Sequence, residues 1–339
     1  GLRMRVGAGP AQPLPASATR TAWRISPRGA GLAVSYWDSA QGTWVAYAPA
    51  GYSADAALPT PVVIDNPATG LTRLVLPNGV RRDYVGGIGA NVVGYAFSTV
   101  NLTTFESYVA GVVGSEMPTS WLPEALRSQA VAARTYAAYE QAHPRSASYD
   151  VCDTTACQYY RGVADYRADG TLLADYRSAN VSRAVAATAN LVLRYGGAPA
   201  LTMFSSSNGG WSVSGGTPYL IARSDPYDAA ASNPNAPWRV SGSTGLRTKL
   251  EAAYPAVGAL RQVILTRDGR GLWGGRVVSA RLIGTRGEVA AVTGERMRSI
   301  LGIKSTWFTL QDTDHLRRDL TGDGVPDVFG VGPTGLLQR

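Results

Sequence analysis

The sequence predicts an α+β fold, β-rich with a central pair of packed helices. Three observations carry that expectation. Apolar and polar residues alternate between Gly/Pro turns up to about residue 102. Two helical stretches then follow back to back, and after Asp150 the chain returns to short strands and loops. That order is mixed and does not repeat as a βαβ array.

Residues 1–30, rich in Ala, Pro, Gly and Arg, suggest a strand or two within loops. From GLAVSYWDSAQGTWVAYAPAG through LTRLVLPNGVRRDYVGG to NVVGYAFSTVNL, period-2 alternation predicts a run of strands. Thr103 and Glu106 have capping-box spacing, and Phe105, Tyr108, Val109, Val112 and Val113 then share one helical face. The stripe runs into Glu116, and Pro118 breaks the helix at once. Pro123 and Glu124 suit the first turn of a second helix, PEALRSQAVAARTYAAYEQA. Its Ala130, Ala133 and Ala137 recur at helical spacing and would let it approach the first helix closely. Beyond residue 178, SRAVAATANLVLRYGGAPALTMFSSSNGGWSVSG predicts a short helix or turn, two strands and a Ser/Asn/Gly loop. GRVVSARLIG and GEVAAV read as strands, ERMRSILG as a short helix and STWFTL as a last strand.

With 45% hydrophobic and 17% charged residues, the 339-residue chain has an ordinary globular balance and length for two or three modules. No run reaches the length of a membrane span. The opening residues show no signal-peptide pattern, which says nothing against export. The net charge of +8 is almost all arginine, Lys appearing only at Lys249 and Lys304. One reading of that charge is a G+C-rich coding bias with a soluble surface; the other is attraction to a polyanion. There an anionic cell envelope is favoured over nucleic acid, because no dense basic run or binding module accompanies the charge.

Cys152 and Cys157 lie five apart in YDVCDTTACQYYRG, and the only histidines are His143 and His315. Asp150 and Asp153 could add oxygens, but no four-ligand zinc spacing emerges. A short-loop disulfide in an oxidising compartment is the favoured state and points to an exported protein.

Glu116 is the candidate working acid. It extends an inward-facing stripe and sits where the helix dipole is negative, so desolvation and dipole both disfavour its anion. A carboxylic acid held in that way suits protonation of a glycosidic oxygen. The bland alternative is a solvated or capped glutamate.

The stretch YVAGVVGSEMP, a Trp, then PEALRSQAVAARTYA resembles the signature of the SpoIID/LytB family of cell-wall proteins. CDTTACQYYRG resembles that family's segment ending in Gln-x-Tyr-x-Gly. LVLRYGGAPALTMFSSSNGG resembles its Tyr-Gly strand pair and Ser/Gly loop, and VTGERMRSILGIKSTWF its closing segment. The resemblance implies a SpoIID-like core over residues 85–310, after a β-rich region at 1–84. It also implies peptidoglycan as substrate and a bacterial, extracytoplasmic setting, secreted or attached to the wall. SpoIID-type members are lytic transglycosylases acting on glycan strands stripped of stem peptides; LytB-type members are amidase enhancers. The catalytic acid carries over to Glu116, and substrate-binding positions carry over to Arg134, Gln158, Tyr195 and Ser207. For Arg134 a structural salt bridge, and for Gln158 a loop-closing hydrogen bond, are the competing roles. Some members hold a metal with two His and two Cys near this segment. Here Ala156 precedes Cys157 and only His143 lies nearby, which disfavours zinc and supports the disulfide.

One carboxyl suffices for lytic transglycosylation, whereas most hydrolytic glycosidases need two. Asp150 and Asp153 are the better candidates for a second acid, since Glu124 begins the next helix. No cofactor is expected for catalysis. The tail at 311–339, containing RRDLTGDGVPDVFGVGPTGLLQ, resembles the start of an FG-GAP-like calcium repeat. Asp319, Thr321, Asp323, Val325 and Asp327 would supply oxygens around the Gly324 turn, although Gly330 stands where an EF-hand has Glu. The competing reading is an Asp/Gly turn with no ion. Expected partners are peptidoglycan glycan strands and a cell-wall amidase.

Overall fold

The computed structural model describes residues 1–228, 238, 240 and 243–310. The chain divides into two compact units, residues 1–204 and 205–339. In the first unit the strands are β1 (Arg3–Val6), β2 (Gln12–Pro13), β3 (Arg20–Arg28), β4 (Gly31–Asp38), β5 (Thr43–Tyr47), β6 (Val62–Asp65), β7 (Leu71–Val75), β8 (Arg81–Val85), β9 (Gly87–Val93) and β10 (Ala96–Leu102). Helices α1 (Phe105–Glu116) and α2 (Pro123–Ala142) follow, then β11 (Ala164–Tyr166), β12 (Leu172–Asp175), α3 (Ala179–Ala187), β13 (Arg194–Tyr195) and β14 (Ala198–Pro199).

These strands form a five-stranded sheet in the order β10-β9-β6-β1-β2, a four-stranded sheet β12-β11-β8-β7, a meander β3-β4-β5 and the hairpin β13-β14. Every pairing is antiparallel, as the α+β expectation requires. Met4, Val6, Leu32, Val34, Leu58, Val62, Ile64 and Ala90 form one core between the five-stranded sheet and the meander. A second core joins Val109, Val112 and Val113 of α1 to Leu126, Ala130 and Ala133 of α2, Val181, Ala184 and Val185 of α3, and Tyr84, Ile88 and Tyr160. The apolar stripe and the alanine face read from the sequence are therefore the buried faces of α1 and α2.

The α1 cap differs from the expected box by one residue. Thr104 caps the helix, its Oγ1 accepting the Ser107 amide at 3.3 Å. Glu106 turns away from the amides to pair with Arg134, because a buried guanidinium is the stronger partner. The compact units also differ from a division at residue 85. Strand β6 pairs with β9, so strands from both sides of that position share one sheet.

The second unit contains α4 (Ser243–Ala253), β15 (Leu260–Arg267), β16 (Val277–Gly284), β17 (Glu288–Thr293) and α5 (Gly294–Leu301), with the strands in the order β15-β16-β17. STWFTL is not a strand. It is an irregular segment with a bend at Thr306, whose carbonyl accepts a hydrogen bond from Val277 N at 2.8 Å. Beyond Val277 that side of β16 is taken, since β17 pairs with it from Ser279 onward and β15 holds the other side.

Candidate functional site

Helix α1 ends at Glu116 for a local reason. Pro118 disfavours helical backbone in the residue before it, and Met117 is extended at φ −143°, ψ 156°. The last helical side chain is thus a half-buried carboxylate at an abrupt chain reversal.

The segment around the cysteines lies across α1 and finishes the site. Cys152 and Cys157 are joined in a disulfide. Immediately after it the chain is extended and its side chains alternate. Gln158 and Tyr160 face inward and are buried; Tyr159 and Arg161 face outward and are half-buried. The Tyr159 amide donates to Glu116 Oε1 at 2.6 Å. Among the described residues Oε2 takes no hydrogen bond, so the carboxyl is oriented through one oxygen.

Two glycines of GVVGSE make this approach possible. A Cβ on Gly111 would lie 2.3 Å from Tyr160 Cε2, and one on Gly114 would lie 2.6 Å from the Tyr176 carbonyl oxygen. Each glycine costs about 1 kcal/mol relative to alanine in a helix interior, a cost offset by the close packing it allows. Tyr160 then packs against Tyr108 with tilted rings, centroids 5.2 Å apart, and donates its hydroxyl to Asn101 Oδ1 at 2.8 Å. Burial pushes the Tyr108 and Tyr160 hydroxyls well above the usual tyrosine range, so both stay neutral donors.

Gln158 is 0% exposed. Its Oε1 accepts the Tyr108 hydroxyl at 3.1 Å, and its Nε2 donates to the Ala133 carbonyl at 3.3 Å. It therefore ties the loop to both helices, one residue before the amide that holds Glu116. The loop is also held from α2. Arg145 grips buried Glu140 through both carboxylate oxygens (2.7 and 2.6 Å) and donates to the Ala156 carbonyl at 3.1 Å.

Arg134 is 1% exposed. Its guanidinium makes a bidentate pair with Glu106 at 2.8 Å and donates to the Val185 carbonyl at 3.2 Å. It thereby staples α1, α2 and the C-terminal end of α3 together. In this geometry Arg134 and Gln158 support the site from beneath and offer no surface to a ligand.

Tyr195 is 53% exposed on the β13–β14 hairpin, which is anchored to α2 by the Leu193 amide on Thr135 Oγ1 at 3.0 Å. Ser207 belongs to the second unit, where its hydroxyl donates to Asp228 Oδ2 at 2.8 Å. The same carboxylate oxygen accepts the Gly209 amide at 2.9 Å, so Asp228 shapes the Ser/Gly loop. Asp150 and Asp153 are both exposed, and Glu124 pairs with Arg127 at the start of α2. Asp319, Thr321, Asp323, Val325 and Asp327 lie outside the described residues. The sequence reading passed over Arg145 and Asp228, whose partners are set by loop geometry with no helical or strand period.

No helix among the described residues is long and apolar enough to cross a membrane. The family model for Stage II sporulation protein (SpoIID) matches residues 94–195. The amidase enhancer of Bacillus subtilis (strain 168) is 38% identical over 124 residues, covering 35% of this chain and 15% of that protein. Stage II sporulation protein D of the same organism is 31% identical over 147 residues, covering 39% of this chain and 42% of its own length. The chain thus spans less than half the length of these relatives. The matched residues carry α1, α2, α3, the disulfide loop and Glu116 in one packed arrangement, and over this stretch the chain is similar to SpoIID proteins.

Proposed function

We propose that the protein is an extracytoplasmic cell-wall enzyme, a lytic transglycosylase that cleaves peptidoglycan glycan strands without water. The observation that carries this reading is the single carboxyl of Glu116, ending α1 and held through one oxygen by the Tyr159 amide. The kinship with SpoIID proteins gives it a setting. In the proposed reaction Glu116 donates its proton to the oxygen between N-acetylmuramic acid and N-acetylglucosamine, and that bond breaks as an oxocarbenium-like state develops. The Glu116 carboxylate then takes the proton of the muramic 6-hydroxyl, whose oxygen bonds to the anomeric carbon and closes a 1,6-anhydro ring. Proton and electron pair balance without a second carboxylate, in contrast to hydrolysis.

Peptide-free glycan strands incubated with wild type should yield anhydromuramyl ends by mass spectrometry. Glu116→Gln should fold normally and lose about 10²–10⁴-fold in rate, the usual contribution of a general acid. Near-wild-type cleavage by the folded variant would sink the assignment.

A second reading has its own support: the likeness to an amidase enhancer, and the exposed Trp121 and Leu122 between α1 and α2. On that reading the protein docks on the wall and stimulates an amidase, and Glu116→Gln would leave the stimulation intact. For the tail, the alternating oxygens of Asp319 to Asp327 support calcium binding in the weak range of about 10⁻⁴–10⁻³ M. Millimolar calcium should then slow proteolysis beyond Asp312 and leave glycan cleavage unchanged; equal digestion with chelator counts against the site.

A further inference from the structure

Arg161 is a cation that the fold holds against two tyrosine rings and, among the described residues, leaves without an ion pair. The alternation that buries Gln158 and Tyr160 turns Tyr159 and Arg161 to the outer side of the segment. There the guanidinium carbon lies 4.4 Å from the Tyr159 ring centroid and 5.1 Å from that of Tyr176. Both residues also touch the last turn of α1. The Tyr159 amide holds Glu116, and the Tyr176 carbonyl sits where a Cβ on Gly114 would be. The two rings thus fix Arg161 at the end of the helix that carries the candidate acid.

The local charges do not neutralise it. Asp165, the carboxylate in that direction, is held by both arms of Arg82 at 2.6 and 2.8 Å and by the Tyr176 hydroxyl at 2.9 Å. Arg161 adds only the weakest of the attractions felt by Asp165, and its polar neighbour is the neutral Tyr176 hydroxyl. Among the described residues it makes no ion pair, and its Nε is buried without a hydrogen-bond partner. Aromatic faces hold a guanidinium without consuming its in-plane donors. What fits such a group is a planar anion taken through two parallel hydrogen bonds, a carboxylate above all.

We infer that Arg161 is the specificity-determining residue of the Glu116 site, binding the carboxylate of an acidic sugar's ether-linked side chain. This rests on the glycan-cleaving reading above and deepens it. The lactyl group of muramic acid carries a free carboxylate only when no peptide is attached, because amide formation removes the charge. Arg161 would therefore read the absence of the peptide directly, by charge, without having to exclude it by size.

The test uses the whole chain and two probes: peptide-free glycan strands, and the same strands with their lactyl carboxylates converted to methyl amides. Wild type should cleave the free-acid strands about ten- to a hundred-fold more efficiently, the range for hydrogen bonds to a charged group. Arg161→Met, which keeps the stem between the rings, should lose that factor on free-acid strands and change little on amidated ones; Arg161→Lys should restore part of it. An equal loss on both strand forms would make Arg161 a packing residue and overturn the inference, as would no loss on either. Binding of the two strand forms to Glu116→Gln protein separates this inference from the cleavage reading. A carboxylate preference in binding that Arg161→Met abolishes upholds it even where wild type cuts neither strand. Equal binding of both forms ends it.

Discussion

Gly111 shows how a single residue decides whether the site can exist. An α-helix interior normally favours alanine by about 1 kcal/mol, yet Tyr160 occupies the space an alanine methyl would need, at 2.3 Å. Tyr160 cannot retreat cheaply, since its ring packs on Tyr84 and Tyr108 and its hydroxyl is bonded to Asn101. Gly111→Ala should therefore lose more to overpacking, about 1–3 kcal/mol, than helix propensity returns. Displacing Tyr160 also moves the adjoining Tyr159 amide, so activity should fall further than the shift in urea midpoint accounts for. A variant as stable and active as wild type would show that the ring has slack. The sequence showed Gly111 and Gly114 only as glycines in a motif. Their reason is long-range, because the atoms they admit belong to residues some fifty to sixty positions later.

At the scale of elements, the helix pair was legible because its signals are local: a 3.6-residue stripe, Pro118 to stop α1 and Pro123 to start α2. Strand β15 and helix α4 went unread, and STWFTL was expected to pair as a strand, although strand pairing depends on neighbours that are distant in sequence. The disulfide loop lies between these cases. Its covalent bond was favoured because two close cysteines lacked the further ligands of a zinc site, whereas its grip on Glu116 could not be seen without the fold. Closing so short a loop stabilises by only about 2 kcal/mol in the chain-entropy picture. Its larger effect falls on the residues that follow, Gln158 and Tyr159. The oxidised protein should show no free thiol on unfolding and two after reduction. Reduction, or paired replacement of Cys152 and Cys157 by serine, should speed hydrogen exchange at the Tyr159 amide and lower glycan cleavage, with a small change in melting temperature. Unchanged exchange at Tyr159 would mean that Gln158 and Arg145 hold the loop unaided.

At the scale of the whole chain, each apolar core among the described residues lies entirely inside one compact unit: two within residues 1–204 and one among residues 250–308 of the second. A fragment of residues 1–204 should therefore fold cooperatively alone, with Glu116, Tyr159 and the helix staple Arg134 all inside it. The acid limb of its stability supplies an internal check, because the Arg82–Asp165–Tyr176 cluster is also inside. The Arg82 hydrogen bonds come first in holding the Asp165 carboxyl below its ordinary value, against the cost of burial, and the Tyr176 hydroxyl adds to them. A carboxyl depressed on folding adds stability above its unfolded value, and that contribution disappears as pH falls through the folded one. The fragment and the full chain should then lose stability over the same acid interval, from the ordinary aspartate range downward. Asp165→Asn should flatten that limb in both, while lowering stability near neutrality. A fragment that melts without cooperativity, or an acid limb indifferent to Asp165→Asn, would place the unit's stability in contacts other than these.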